Sequence, residues 1–127
     1  MNVPILAPEP PPIVYPEDRP YPGLLTLDVD ATDVARCVFQ VRQTFPVASP
    51  GEMTLLYPKW LPGFHSPAAA IELFSGLELW AGGERLDWRR DLVEVHAFHV
   101  VIPEGVEALE ARFQFLSPTS SAQGTVA

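Results

Sequence analysis

The residues with the most chemical capacity in this sequence are concentrated in one loop, Tyr57–Pro67, which reads YPKWLPGFHSP. A lysine, a tryptophan and a histidine stand there among three prolines and a glycine. Proline lacks an amide donor and fixes φ, so Pro58 and Pro62 exclude regular secondary structure beyond the first residues of the stretch. The loop is therefore either a structural corner or a segment that presents side chains.

Both interpretations of this loop remain open from the sequence. In the structural one, Trp60 anchors the end of a strand in the core, while Pro58 and the Pro62–Gly63 pair shape and turn the chain. In the functional one, the loop lies on a rigid β scaffold and contacts a partner domain or a ligand. The candidate binding or domain-interface residues are Lys59, Trp60, Phe64, His65 and Ser66.

The other two histidines, His96 and His99, are spaced H-x-x-H in a stretch that is typical of a strand. Side chains alternate between the faces of a strand, so the two rings point to opposite faces and cannot share one metal ion. We expect one half-buried histidine and one that faces solvent.

Complete catalytic motifs are absent from the sequence. There is no H-E-x-x-H, G-x-S-x-G, C-x-x-C or glycine-rich phosphate loop. Ser66 beside His65 is the one suggestive nucleophile–base pair, and neighbours in sequence rarely point at each other. A triad assembled in space stays open. We therefore predict no catalytic residue and no metal ligand in this chain.

Composition narrows the class of partner. The 127 residues carry a net charge of −8, and the eight basic residues are scattered, which argues against binding to nucleic acid or to an anionic membrane. The single cysteine, Cys37, excludes an internal disulfide and is expected to be a small buried apolar residue in a strand. No apolar run is long enough to span a membrane, and no signal peptide is recognisable. The compartment stays open.

The elements predicted to position the loop are β-strands. Residues 1–22 form a proline-rich extended arm. From Gly23 the apolar residues alternate, in LLTLDVD, RCVFQVRQTFPV, MTLLY, VEVHAFHVVI and LEARFQFL. LELWAGGERLDWRR reads as a hairpin that turns at Gly82–Gly83, with Leu86 and Trp88 on one face of the return strand. We predict an all-β protein, one antiparallel β-sandwich over residues 23–118, with a tail or truncated strand at 119–127 and a short helical turn within Ala68–Phe74.

Trp80 and Trp88 flank the predicted hairpin. They are expected to pair across strands or to pack in the core. The functional alternative is a platform of exposed aromatic rings that binds carbohydrate.

Three segments give the chain a family resemblance over Tyr21–Pro118. They are W-x-P-G at Trp60–Gly63, W-R-R-D at Trp88–Asp91 and A-F-H-V at Ala97–Val100. With the strands around them, they resemble the N-terminal domain of the glycyl aminopeptidases, the zinc metallopeptidases of family sixty-one.

The resemblance implies a β-rich domain that packs against a separate catalytic domain. That catalytic domain would carry H-E-x-x-H, a later glutamate and the zinc ion, so this chain itself is expected to hold no cofactor. The implied partner is the catalytic domain of the same polypeptide, with peptide substrate as an indirect partner and self-association through an exposed apolar face as a further expectation. Many family members are exported, which suggests a periplasmic parent. The alternative is a free-standing β-sandwich module that binds a peptide or a glycan.

Overall fold

The computed structural model of this protein describes residues 22–63, 65 and 70–117, together with the isolated positions 8, 13, 17 and 20. Most of the predicted arm, residues 1–22, and the whole of the predicted tail, residues 119–127, lie outside the described residues. The domain boundaries therefore stay predictions.

The described residues form eight strands and a single 3-10 turn at Ile71–Leu73. Their bounds are β1 Thr26–Asp33, β2 Val38–Pro46, β3 Gly51–Leu56, β4 Phe74–Ala81, β5 Glu84–Leu86, β6 Trp88–Arg90, β7 Ala97–Ile102 and β8 Ala108–Leu116. A five-stranded sheet has the order β1-β2-β8-β4-β5, and a three-stranded sheet has the order β3-β7-β6. All pairs are antiparallel. The prediction of an antiparallel β-sandwich is confirmed.

The core lies between the two sheets and is built from alternate residues of their central strands. β4 and β8 contribute one side of it and β7 the other. Leu79, Leu109 and Ile102 are its largest fully buried side chains. The alternation of apolar residues in the sequence corresponds to this shared inner layer, because every second side chain of a strand points to the same face.

The inner face of the larger sheet is covered only in part. Leu27 pairs with Gln43, and Gln43 pairs with the buried Ala111, so the three side chains share that inner face. Leu27 is nevertheless 56% exposed, and Val29, two residues along the same face, is 52% exposed. A three-stranded sheet cannot cover a five-stranded one, and β1 is the strand left without cover.

The predicted hairpin is present, but it ends earlier than the sequence indicates. Gly82 and Gly83 both have positive φ, at 57° and 82°, which is what a two-residue hairpin turn between antiparallel strands requires. Leu86 pairs with Leu79 in the larger sheet, whereas Trp88 pairs with Val100 in the smaller one. The prediction that Leu86 and Trp88 share one return strand is therefore wrong, because the chain crosses between the sheets at Asp87.

The two tryptophans also take different roles and do not pair with each other. Trp88 packs edge-on against Phe98 with ring centroids 5.4 Å apart, and its indole N–H donates to the carbonyl of Leu77 at 2.9 Å. Trp80 is half-buried under the guanidinium of Arg112, which lies 4.6 Å from the ring centroid. The ring of Trp88 therefore packs in the core and that of Trp80 makes a cation–π contact. This arrangement does not fit a platform of exposed rings that binds carbohydrate.

Cys37 is exposed, and the prediction that it is buried in a strand is wrong. It ends the turn between β1 and β2 with a φ of 56°, and β2 begins one residue later at Val38. The cysteine carbonyl accepts a hydrogen bond from the N–H of Ser117 at 2.8 Å. The turn thus takes the cysteine out of the alternation that begins at Val38.

A core substitution tests the position of the inner layer. Leu79→Ala should lower the free energy of unfolding by about 2–5 kcal/mol, since it removes buried methyl groups and leaves a cavity. The matched control is Leu92→Ala, at a leucine that is 87% exposed, and we expect a change within about 0.5 kcal/mol there. Chemical denaturation measures both. Equal effects of the two substitutions would contradict this core.

Candidate functional site

The loop that follows β3 is held against the segment that precedes β7. The N–H of Tyr57 donates to the carbonyl of His96 at 2.8 Å, which extends the β3–β7 pairing by one step. Two residues later, the ammonium of Lys59 forms an ion pair with the carboxylate of Glu94. This hydrogen bond from Lys59 is the main reason that the pKa of Glu94 lies below its ordinary value. The two loops are therefore neighbours at one end of the smaller sheet.

Trp60 is 59% exposed, and the prediction that it anchors the core is wrong. Tyr57 takes that place, because its half-buried ring lies 5.4 Å from Phe74. Met53, Leu55 and Tyr57 pack against the core, so the same alternation would place Trp60 on the opposite face, and β3 itself ends at Leu56. Gly63 has a φ of 87°, consistent with the predicted turn at Pro62–Gly63.

The remaining predicted loop residues differ in what the structure describes. His65 is exposed, whereas Phe64 and Ser66 lie outside the described residues. Lys59 is therefore the one member of the predicted set that has a defined side-chain partner within the described part of the chain.

The facing loop, residues 91–96, presents three exposed apolar side chains that the sequence analysis did not single out. Leu92, Val93 and Val95 are 87%, 70% and 50% exposed. Together with Trp60 and Leu61 they form a set that we call the loop surface. The Lys59–Glu94 ion pair joins the two loops that carry these side chains, and large exposed apolar patches mark interaction sites.

Asp91 holds the shape of the facing loop. One carboxylate oxygen accepts from the N–H groups of Val93 and Glu94, at 2.9 and 2.8 Å. The other oxygen lies 2.8 Å from Nε2 of His99. The hydrogen bonds from the Glu94 N–H, His99 and the Val93 N–H lower the pKa of Asp91 from 3.8 to about 2.

His99 in turn joins this loop to the smaller sheet. Its Nδ1 lies 3.0 Å from the hydroxyl of Thr54, the residue directly opposite it on β3. With Nε2–H donating to Asp91, the neutral ring accepts at Nδ1 from the threonine hydroxyl. The order hydroxyl, imidazole, carboxylate is that of a nucleophilic triad.

A structural role fits this triad-like network better than catalysis. The His99 and Asp91 side chains are only 12% and 9% exposed, and the second oxygen of Asp91 is used to cap its own loop. Register alone brings Thr54 to His99. The sequence could not show this network, since its three members come from two strands and a loop.

The two histidines do not behave as predicted. Neither faces solvent, because the His96 side chain is 18% exposed and that of His99 is 12% exposed. His96 precedes β7, so strand alternation does not apply to it, and its Nδ1 lies 3.2 Å from the carboxylate of Glu94. Among the described residues, no group of three or more His, Cys, Asp or Glu side chains could hold a metal ion.

Comparison with solved structures finds a similar fold in part of a much larger chain. The chain superimposes on an aminopeptidase N family protein from Idiomarina loihiensis with a TM-score of 0.61 at 16% identity. The match covers 74% of this chain but only 15% of the other. At that identity the likeness establishes the β-sandwich fold. No curated protein matches the sequence, and no helix among the described residues is long and apolar enough to cross a membrane.

Residues 26–127 match the model of the Peptidase M61 N-terminal domain. The chain belongs to this family, and the predicted resemblance is confirmed.

The pH dependence of folding should report the carboxylate of Asp91. Because its pKa is lower in the folded protein, its contribution is complete above the ordinary value of 3.8 and is lost as the pH falls toward about 2. Asp91→Asn should therefore be less stable than the natural protein at neutral pH, and the difference should shrink over that acid range. Urea denaturation at a series of pH values measures it. The control is Asp87→Asn at an exposed carboxylate, and a difference at Asp91 that does not change with pH would contradict the assignment.

Proposed function

We propose that this chain is the non-catalytic N-terminal β-domain of a zinc aminopeptidase of the glycyl aminopeptidase type. In this proposal the domain supports a catalytic domain of the same polypeptide and forms part of the rim of its substrate cleft. Membership of the Peptidase M61 N-terminal domain family supports the identity of the parent. The observation that carries the docking role is the loop surface, where Trp60, Leu92 and Val93 are each more than half exposed.

The contacts beneath the loop surface make it suitable for docking. The Lys59–Glu94 ion pair joins its two loops, and Asp91 fixes the backbone of the second loop with two N–H bonds. A partly exposed ion pair contributes little stability by itself, so its value here is positional. An apolar surface on fixed loops loses little conformational entropy when a partner covers it, which favours association.

A free-standing binding module for a peptide or a glycan is the second candidate. The exposure of Trp60 favours it, since an indole ring at the tip of a loop can stack on a ligand. The packing of Trp88 in the core and of Trp80 under Arg112 removes the aromatic pair that a glycan platform would use. This alternative therefore depends on the loop surface alone.

The chain by itself should not cleave peptides. Incubation with zinc and a substrate that has an N-terminal glycine should give no turnover, because no residue set described here can hold and use a catalytic zinc ion. Release of the chromophore from a glycyl anilide measures it. Reproducible turnover that a chelator abolishes would overturn the non-catalytic assignment.

Docking is tested with the proposed catalytic domain of the parent polypeptide, produced separately and titrated with this chain. Trp60→Ala should weaken binding about 10-fold or more, as expected for a tryptophan at the centre of an interface. The matched control is Val34→Ser, at a residue that is 76% exposed in the β1–β2 turn of the other sheet. Calorimetric titration measures both.

Two results of these titrations would count against the docking role. One is binding that Trp60→Ala leaves unchanged. The other is a saturable change of tryptophan fluorescence when a peptide or glycan is added to the chain alone, lost in Trp60→Ala without unfolding, which would favour the free-standing module.

A further inference from the structure

A deep apolar trough opens between the two sheets on the side where the larger sheet lacks cover. Its volume is about 450 Å³. β2, β8 and β4 of the larger sheet supply one wall, and β3, the residues after it and β7 of the smaller sheet supply the other. The side chains that matter most here are Leu25, Phe45, Leu55, Tyr57, Phe74 and Phe113.

The trough has the character of a binding groove and not of a closed core. Volumes of ~300–1,000 Å³ are typical of pockets that hold an organic ligand or a few residues of peptide. Five of the side chains that line it are aromatic, and the ring of Phe74 lies tilted against those of Tyr57 and Phe113, with centroids 5.4 and 4.8 Å apart. Leu25 at its mouth is 48% exposed. An apolar opening of this kind is costly to leave in water.

The chain itself leads into this trough. β1 begins at Thr26, so Leu25 at the mouth is the residue directly before the first strand. The arm that precedes it reads PPPIVYP at residues 10–16, with three apolar side chains between prolines. Ile13 is the one residue of this segment that the structure describes, and it is half-buried. We propose that residues 10–16 of the arm dock in the trough of their own chain.

The chemistry of the segment matches that of the trough. Proline-rich chain favours the extended polyproline conformation, and grooves lined by aromatic rings recognise that conformation because it is already ordered before binding. The eight residues 17–24 link the segment to the mouth and can span up to about 26 Å, which is enough for the arm to fold back. Docking would cover the apolar inner face that β3 leaves open.

A second copy of the chain is the competing occupant, and charge disfavours it. Each copy carries a net charge of −8, so two copies repel each other, whereas the arm is already tethered beside its site. The proposal concerns the trough and the arm alone, and it holds or fails independently of any catalytic partner at the loop surface.

The direct test is nuclear Overhauser spectroscopy on the full chain. We expect contacts from Ile13 and Tyr15 to the rings of Phe45 and Phe113, and these contacts should persist on dilution. In a sample that mixes labelled and unlabelled chains, no contact between chains should appear. Absence of the contacts would overturn the proposal, and so would contacts seen only between chains, which would assign the trough to a second copy.

Substitutions provide an independent measurement. The double change Ile13→Ser with Tyr15→Ser should lower the Tm and shift the methyl resonances of Leu25, whereas the matched control Ile5→Ser, in the same arm, should do neither. Leu25→Ser changes a half-exposed side chain. It should destabilise the protein with the substituted arm less than it destabilises the natural protein, because the arm and Leu25 share one contact. Fully additive effects would overturn the proposal.

Discussion

A five-stranded sheet packs here against a three-stranded one, and the difference in width governs the rest of the domain. Strands lie ~4.8 Å apart, so the uncovered β1 leaves a strip of inner face about one strand spacing wide. Burial of Leu79, Leu109 and Ile102 under the smaller sheet stabilises the fold. The same arrangement leaves Leu27 and Val29 in solvent. The position of β3 decides where the closed core ends and the open trough begins.

The smaller sheet also determines the geometry of the candidate site. Its central strand, β7, carries core side chains on one face and His99 on the other. Through Asp91 and Thr54, that histidine connects a loop, a central strand and an edge strand. The loop surface is therefore displayed from a base that these hydrogen bonds hold in place.

Much of the fold follows from the sequence, because strand alternation is a local property. The strands around Val41, Leu79 and Phe113 were predictable from period-two patterns, and the Gly82–Gly83 turn was predictable from the positive φ that it requires. The crossing of the chain between the sheets at Asp87 was not predictable, because no local sequence feature distinguishes a strand that returns in the same sheet from one that enters the other sheet.

The candidate site was less accessible to sequence reasoning, for related physical reasons. The structural interpretation of the loop placed Trp60 in the core as an anchor at the end of a strand, yet that strand ends four residues earlier and the ring is 59% exposed. The Asp91–His99–Thr54 network depends on the register between β3 and β7, and that register cannot be read from the sequence alone. Lys59 was identified from its loop, but its partner Glu94 lies 35 residues away.

Among the described strands, β1 has a neighbour on one side only, and the composition of this edge of the larger sheet bears on how the protein behaves at high concentration. A bare edge is a template on which other chains can add strands and build aggregates. β1 alternates leucine and valine with Asp28 and Asp30, and all four side chains are exposed. A copy that approached edge to edge would bring carboxylates toward carboxylates and would have to desolvate them. The acidic residues of β1 thus act as gatekeepers that oppose sheet growth from one molecule to the next.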